Sequence, residues 1–415
     1  MCARKIGIVG AGTMGAGIAL VASAAGMRVA LNDVQQQQLE AARAHIESAY
    51  RRRAERGTLT AEELQRGLGL VDYSLADDTL LDADVVIEAV PEDMQLKKQV
   101  FGRLGRLCRP DAILATNTSA LSVAELAESS GRPRRVIGMH FFNPVSAMKL
   151  VEVIPGPRTE PTVTETIVGL ARELGKIPVI ARDRPGFLVN RLLMPYLNEA
   201  VTCLQEDAAT IQEIDAALGR SGFGWPMGPL ALMDMLGLDV CHHIAAYLAE
   251  QYGERMPEAA LLRVLVEDGR YGRKSGRGFY DHTGTVRPGD VSLLVRELRR
   301  GGAAQAGSSF SVDRVVMPLL NEAFRCVEEE MASVSDVDLA CIAGLGMQVR
   351  KGDQLVTCGP LEYADDRGLD VVLDVLRGLH TQLGERFRPA AILQDKVRAG
   401  VLGVKSGRGF GIYES

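Results

Sequence analysis

A chain of 415 residues exceeds one ordinary domain, and 47% hydrophobic with 24% charged residues is the make-up of a folded globular protein. A net charge of −6 argues against general nucleic-acid binding, and seven scattered cysteines without a Cys-x-x-Cys pair fit reduced thiols rather than a disulfide framework. No apolar run is long enough to cross a bilayer and no leader precedes Lys5, so the expectation is a soluble, cytoplasmic protein with no membrane or nucleic-acid partner.

The first part alternates short β-branched runs with helical stretches, the mark of a parallel sheet wrapped by helices. Strands are predicted at Lys5–Val9, Arg28–Leu31, Val85–Ala89, Ile113–Thr116 and Val136–His140, with a further one at Ile177–Ile180; a long polar helix is predicted from Gln35 to Arg56.

Directly after the first strand comes Gly10-Ala11-Gly12-Thr13-Met14-Gly15, which opens a helix running to about Ala25. Alone this glycine pattern is weak, and a tight strand–helix turn would also satisfy it. Here it has a strand before, a helix after and Asp33 at the end of the next strand. Gly10 permits the turn, Gly12 lets a pyrophosphate approach the backbone, and Gly15 lets helix and strand pack closely. The phosphates would meet the helix N-terminus, where unpaired N–H groups favour negative charge. Asp33 would bind the adenosine ribose hydroxyls and repel a 2′-phosphate, which selects NAD over NADP.

The chemistry is expected in Val136–Ile154. His140 ends a strand, on the sheet edge where ligands bind in open α/β folds, and Glu152 interrupts the apolar run Leu150–Ile154. A carboxylate in such a run is costly to bury unless something meets it. A chain reversal at Asn143-Pro144 would bring Glu152 beside the His140 imidazole. Oxidising an alcohol by hydride transfer needs a base for the hydroxyl proton; an imidazole serves near neutral pH, and a neighbouring carboxylate strengthens and orients it.

From Pro185 the pattern turns helical, and it repeats. Phe187–Ala200 recurs as Phe310–Ala323, Met227–Leu230 as Cys358–Leu361, and Lys274–Phe279 as Lys405–Phe410. Three matches in one order indicate a tandem duplication of a helical unit of roughly a hundred residues, a usual domain size. The run Gly301–Ser309 reads as a flexible linker between the copies.

Together His140–Ile154, Thr116-Asn117-Thr118-Ser119, Pro185–Glu199 and Met227-Gly228-Pro229-Leu230 resemble the L-3-hydroxyacyl-CoA dehydrogenase family, in the manner of a 3-hydroxybutyryl-CoA dehydrogenase with a duplicated C-terminal helical domain. The resemblance implies a soluble NAD-dependent enzyme of fatty-acid and related acyl-CoA metabolism. Its expected organisation is an α/β Rossmann-type N-terminal domain (1–183) followed by two tandem all-α C-terminal domains (184–283 and 308–415), with 284–307 as linker.

Residue by residue, the resemblance implies His140 as base, Glu152 as its partner, and Ser119 and Asn190 as positioning groups for substrate oxygen and cofactor. Helix capping is the competing reading for Ser119 and for Asn190. Glu92, Lys97, Asn117, Asn143 and Lys274 are implied as further NAD contacts, and Ser48 with Arg56, beside Arg51–Arg53, as contacts of coenzyme A. A solvated helix face explains those arginines equally well. The position matching Asn190 in the second copy is Asp313, with no second glycine loop or His–Glu pair, so that copy is expected to be catalytically silent. Family members with one helical unit usually dimerise through it; 308–415 is therefore expected to pack on 184–282 as an internal pseudo-dimer, the whole being a monomer or a homodimer. Two alternatives are a hydroxy-acid or sugar-acid dehydrogenase acting without coenzyme A, and a non-catalytic NAD-binding protein of the same fold.

Overall fold

The computed structural model describes residues 5–284, 287–288, 290–302 and 309–413. They group into two units, one ending at Phe187 and the other running from Leu188.

In the first unit the strands are β1 (Lys5–Val9), β2 (Arg28–Asn32), β3 (Val71–Ser74), β4 (Val85–Glu88), β5 (Ile113–Thr116), β6 (Val136–Phe141), β7 (Leu150–Pro155) and β8 (Ile177–Ile180). The helices between them are α1 (Thr13–Ala24), α2 (Gln36–Glu55), α3 (Ala61–Leu68), α4 (Met94–Leu107), α5 (Val123–Ser129) and α6 (Pro161–Glu173). They build one eight-stranded sheet in the order β3-β2-β1-β4-β5-β6-β7-β8. The strands from β3 across to β6 are parallel; β7 turns back antiparallel to β6 and β8 runs parallel to β7.

Central strands β4, β5 and β6 are buried along their whole length because helices cover both sheet faces, which is why they read as continuous apolar runs. Helix α2 looks polar yet is held by Leu39, Ala42, Ile46 and Tyr50, one buried stripe at helical spacing. Strand order reverses between β1 and β4, which opens a crevice beyond their carboxyl ends.

The second unit comprises α7 (Val189–Gln205), α8 (Ile211–Leu218), α9 (Pro229–Leu236), α10 (Leu238–Tyr252), α11 (Ala260–Glu267), α12 (Ser292–Arg300), α13 (Val312–Glu328), α14 (Val334–Leu339), α15 (Pro360–Arg367), α16 (Leu369–Leu383) and α17 (Ala391–Arg398). Both repeats fall within this one unit. The stretch 284–307, expected as linker, contains α12, which buries Val295 and ties Arg299 to Asp207 at 2.6 Å; residues 303–308 of the flexible run lie outside the described residues, as does Cys2.

Helices α7 and α13 pack against each other, and their buried charges cross over in pairs. Arg191 donates to Glu322 (2.5 Å) and Glu329 (2.6 Å), while Arg314 donates to Glu199 and Glu206, both at 2.7 Å. Arg255 and Arg386 add matching bonds to Glu322 (3.0 Å) and Glu199 (2.7 Å). Each contact from one repeat is returned by the equivalent residues of the other, as at a two-fold interface. One insertion breaks the likeness: a β-hairpin, Gln348–Lys351 with Gln354–Thr357, stands in the second repeat and reaches the first, where the Arg350 amide donates to Phe223 O (2.8 Å).

Candidate active site

The glycine loop has the shape a dinucleotide requires. Gly10 has φ of +102°, and a Cβ there would meet the Ala89 carbonyl at 2.6 Å; a Cβ on Gly15 would lie 1.8 Å from the Gly10 carbonyl oxygen. At Gly12 the same test meets nothing within 4 Å, so the backbone at the start of α1 faces open space with no side-chain cap. That is the cradle a pyrophosphate fits, and the first helical residues Thr13 and Met14 border it. Asp33 is fixed at the end of β2: its Oδ2 accepts from the Ala11 amide (2.7 Å) and its Oδ1 from the Gln35 amide (2.9 Å).

Behind the loop lies a charge cluster whose buried centre, Glu88, sequence reasoning missed. Glu88 ends β4 fully buried and accepts from Lys97 Nζ (2.7 Å), Thr116 Oγ1 (2.7 Å) and the Val90 amide (2.8 Å). Lys97, 1% exposed, also reaches Glu92 at 3.2 Å. Without the family resemblance, Lys97 and Glu92 read as surface charges, yet the first is buried because Glu88 needs a counter-charge. Glu92 Oε1 accepts from the amides of Ser119 (2.8 Å) and Ala120 (3.2 Å) and from the Thr118 hydroxyl, so it shapes the loop after β5. Burial opposes its ionisation, but the Lys97 ammonium, the Thr118 hydroxyl and the Ser119 amide hold its carboxyl below the usual range.

His140 and Glu152 face each other in the antiparallel register of β6 and β7, so the chain does reverse at Asn143-Pro144. The two residues are 5% and 1% exposed, and Nδ1 lies 2.7 Å from Glu152 Oε2. On the other side of the ring, Nε2 lies 3.1 Å from Ser119 Oγ. Phe142 and Phe187 pack on the imidazole with centroids 4.5 and 6.0 Å away. Asn117 steadies the edge by accepting from the Phe141 amide at 2.9 Å. Lys176 pins the β6–β7 loop, which carries the exposed Asn143, by donating to the carbonyls of Val145 and Met148; burial, then Lys149, pushes its amine down to about 8. Capping of α5 falls to Ser122, which leaves Ser119 for the histidine.

Three elements thus bring His140, Glu152, Ser119 and Asn117 together at the same sheet edge as the glycine loop. Other expected residues stand on other elements. Asn190 is in the first turn of α7, in the second unit, and the residue at that helix's N-cap is Leu188. Ser48 and Arg56 are exposed on α2 and its C-cap; Ser48 accepts from Arg52 at 2.7 Å. Lys274 is in the second unit and bonds Asp239 at 2.6 Å, and its counterpart Lys405 bonds Asp370 at 2.6 Å in the second repeat. Among the described residues no three His, Cys, Asp or Glu side chains are grouped to hold a metal ion, and no helix is long and apolar enough to cross a membrane.

Comparison with known proteins agrees with this geometry. Residues 5–184 match the model of the 3-hydroxyacyl-CoA dehydrogenase NAD binding domain, and the model of that enzyme's C-terminal domain matches twice, over 186–282 and 310–413. The solved 3-hydroxybutyryl-CoA dehydrogenase of Escherichia coli K12 is similar over 96% of this chain and 99% of its own, with 30% identity and a TM-score of 0.86. (S)-3-hydroxybutyryl-CoA dehydrogenase PaaH1 of Ralstonia eutropha (38% identity) and FadB2 of M. tuberculosis (39%) each cover 68% of this chain and 99% of their own, with TM-scores of 0.65. Matched by both domain models over nearly its whole length, the chain belongs to the 3-hydroxyacyl-CoA dehydrogenase family, whose members use NAD.

Proposed function

We propose that the protein converts an L-3-hydroxyacyl-CoA to the 3-ketoacyl-CoA, reversibly, with His140 as proton acceptor. The observation that carries this reading is the relay Ser119–His140–Glu152, with its two contacts of 3.1 and 2.7 Å at the edge that bears the glycine loop. Glu152 accepts the Nδ1 proton and so fixes the tautomer in which Nε2 is the acceptor. The substrate's 3-hydroxyl then bonds between Nε2 and Ser119 Oγ. As the C3–H bond breaks, its electron pair leaves with the hydrogen as hydride, the O–H proton moves to Nε2, and the C3–O bond becomes a carbonyl. Bound NAD⁺ supplies the hydride acceptor, with Gly10, Gly12, Thr13, Met14, Gly15 and Asp33 as its holders. In the reverse direction the imidazolium returns the proton, and Ser119 donates to the carbonyl oxygen.

Glu92, Lys97, Asn117 and Asn143 belong to the cofactor side of this site, Asn190 to its substrate side, and Ser48 with Arg56 to the coenzyme A phosphates. The second helical repeat takes the place of a partner subunit: the reciprocal pairs of Arg191 and Arg314 are what such a pseudo-dimer requires. Sedimentation should give a monomer, or a dimer whose assembly survives mutation of those arginines.

Reduction of acetoacetyl-CoA by NADH, run beside free acetoacetate and free hydroxy acids, tests the reaction. Rapid turnover of the thioester with little of the free acids is expected. Comparable or better turnover of a free acid would move the assignment to a hydroxy-acid dehydrogenase.

A further inference from the structure

One lysine inside the first unit has no counter-charge. Lys176, between α6 and β8, is 7% exposed; burial and the neighbouring Lys149 both act against its ammonium, and no carboxylate among the described residues offsets them. Its Nζ donates instead to two main-chain oxygens of the β6–β7 loop, those of Val145 and Met148, the second at 2.8 Å. A methionine or leucine would fill such a place without burying a charge, so stability alone does not call for an ammonium there.

The loop that this ammonium holds joins the strand ending in His140-Phe141 to the strand that carries Glu152. It closes on itself through the Ala147 and Met148 amides, which both donate to the Pro144 carbonyl at 3.0 Å. It also docks on the helix of the glycine loop: Val145 is 3% exposed, and a Cβ on Gly17 of α1 would lie 2.9 Å from its Cγ2. Asn143 stands two residues before Val145. One cation thus ties the cofactor helix to the turn between the two halves of the proton relay.

We propose that Lys176 is a positioning residue for the nicotinamide half of the cofactor, acting through the β6–β7 loop, and that its proton sets how firmly the loop is held. This rests on the cofactor reading of Asn143 above and adds a control by pH. Burial, then Lys149 on the loop itself, brings the amine down to about 8, so it loses its proton in mildly alkaline solution. The neutral amine still donates, but a bond from an uncharged donor is roughly half as strong. Affinity for the cofactor therefore falls as pH rises through that value.

Calorimetric titration with NADH and with ADP-ribose, which lacks the nicotinamide, from about pH 6.5 to about 9.5 tests this. Wild-type protein should bind NADH about threefold more weakly at the alkaline end, with ADP-ribose affinity unchanged. Lys176→Met keeps the volume of the stem; it should bind NADH about tenfold more weakly than wild type at the acid end and show no pH step. Lys176→Arg, charged throughout, should hold the wild-type affinity across the range. Equal losses for ADP-ribose, or a pH step that survives in Lys176→Met, overturn the inference. Binding is read without turnover, so the expected pattern in a protein that reduces no thioester leaves the role of Lys176 standing and removes the proposed reaction. Normal acetoacetyl-CoA reduction with NADH binding alike in all three proteins does the opposite.

Discussion

Both units bury charge, and they resolve it in opposite ways. At the seam of the helical unit, Arg191, Arg314, Glu199 and Glu322 are answered by their counterparts across the repeat, so the network closes on itself. At the sheet edge of the first unit, the chain Glu152–His140–Ser119 runs from a buried carboxylate through a buried imidazole to a hydroxyl among partly exposed residues. A closed network of ion pairs holds a fold, whereas an imidazole set between a carboxylate and a hydroxyl is suited to exchange a proton. Burial alone does not distinguish them; the chemistry of the buried groups does.

The sharpest test of that contrast is His140→Gln. Acetoacetyl-CoA turnover should fall by about 10²–10⁴-fold, the usual contribution of general acid–base catalysis, with the melting temperature hardly moved. Near-normal turnover would end the proton-acceptor role. Arg191→Met should show the reverse: urea unfolding reports a loss of about 3–5 kcal/mol because Glu322 loses a buried partner, while NADH affinity holds. A third test touches the cofactor end of the edge. Asp33→Ala should weaken NAD binding by about tenfold to a hundredfold, the worth of a charged hydrogen bond, and bring NADP within reach; unchanged KM values for both would deny Asp33 its ribose role.

A fourth test separates the two repeats. Asp215 and its counterpart Asp338 each accept from the start of the following helix, but only Asp215 has a tyrosine hydroxyl, that of Tyr280 at 2.7 Å. Burial, with Glu362 and Asp365 adding to it, pushes the Asp338 carboxyl up to about 7. The folded state therefore binds more protons than the unfolded one between about pH 4 and 7, so stability declines as pH rises through that window, by at most about 1.4 kcal/mol per pH unit. Asp338→Asn should flatten this slope in melts taken from pH 5 to 8; an unchanged slope would place the titration elsewhere.

Much of this was legible in the sequence because it has one-dimensional signatures. The glycine loop, Glu152 within an apolar run and the repeated helical motifs each leave a local mark. Glu88 leaves the same mark within Val85–Ala89, where a carboxylate in a buried strand asks for a partner as it does at Glu152. Strand β3, Val71–Ser74, was invisible because an edge strand needs only one buried residue, Val71. Helix α12 lay in a segment read as linker because its charged face hides a single buried valine. The hairpin at 348–357 has no counterpart in the first repeat, so matching the copies could not reveal it. The side-chain contacts of Arg191 with Glu322 span 131 residues, and nothing local announces them.

Joining both helical copies in one polypeptide has a genetic consequence. When two identical chains pair, every substitution is written on both sides of the axis, and each side is constrained by what the other must keep. Here a codon change alters one side only. That freedom allows Asp313 and Arg367 to stand as an ion pair in one half while Asn190 and Leu236 stand in the other. The tether also frees the pairing from dilution, because the second half is always present at high local concentration.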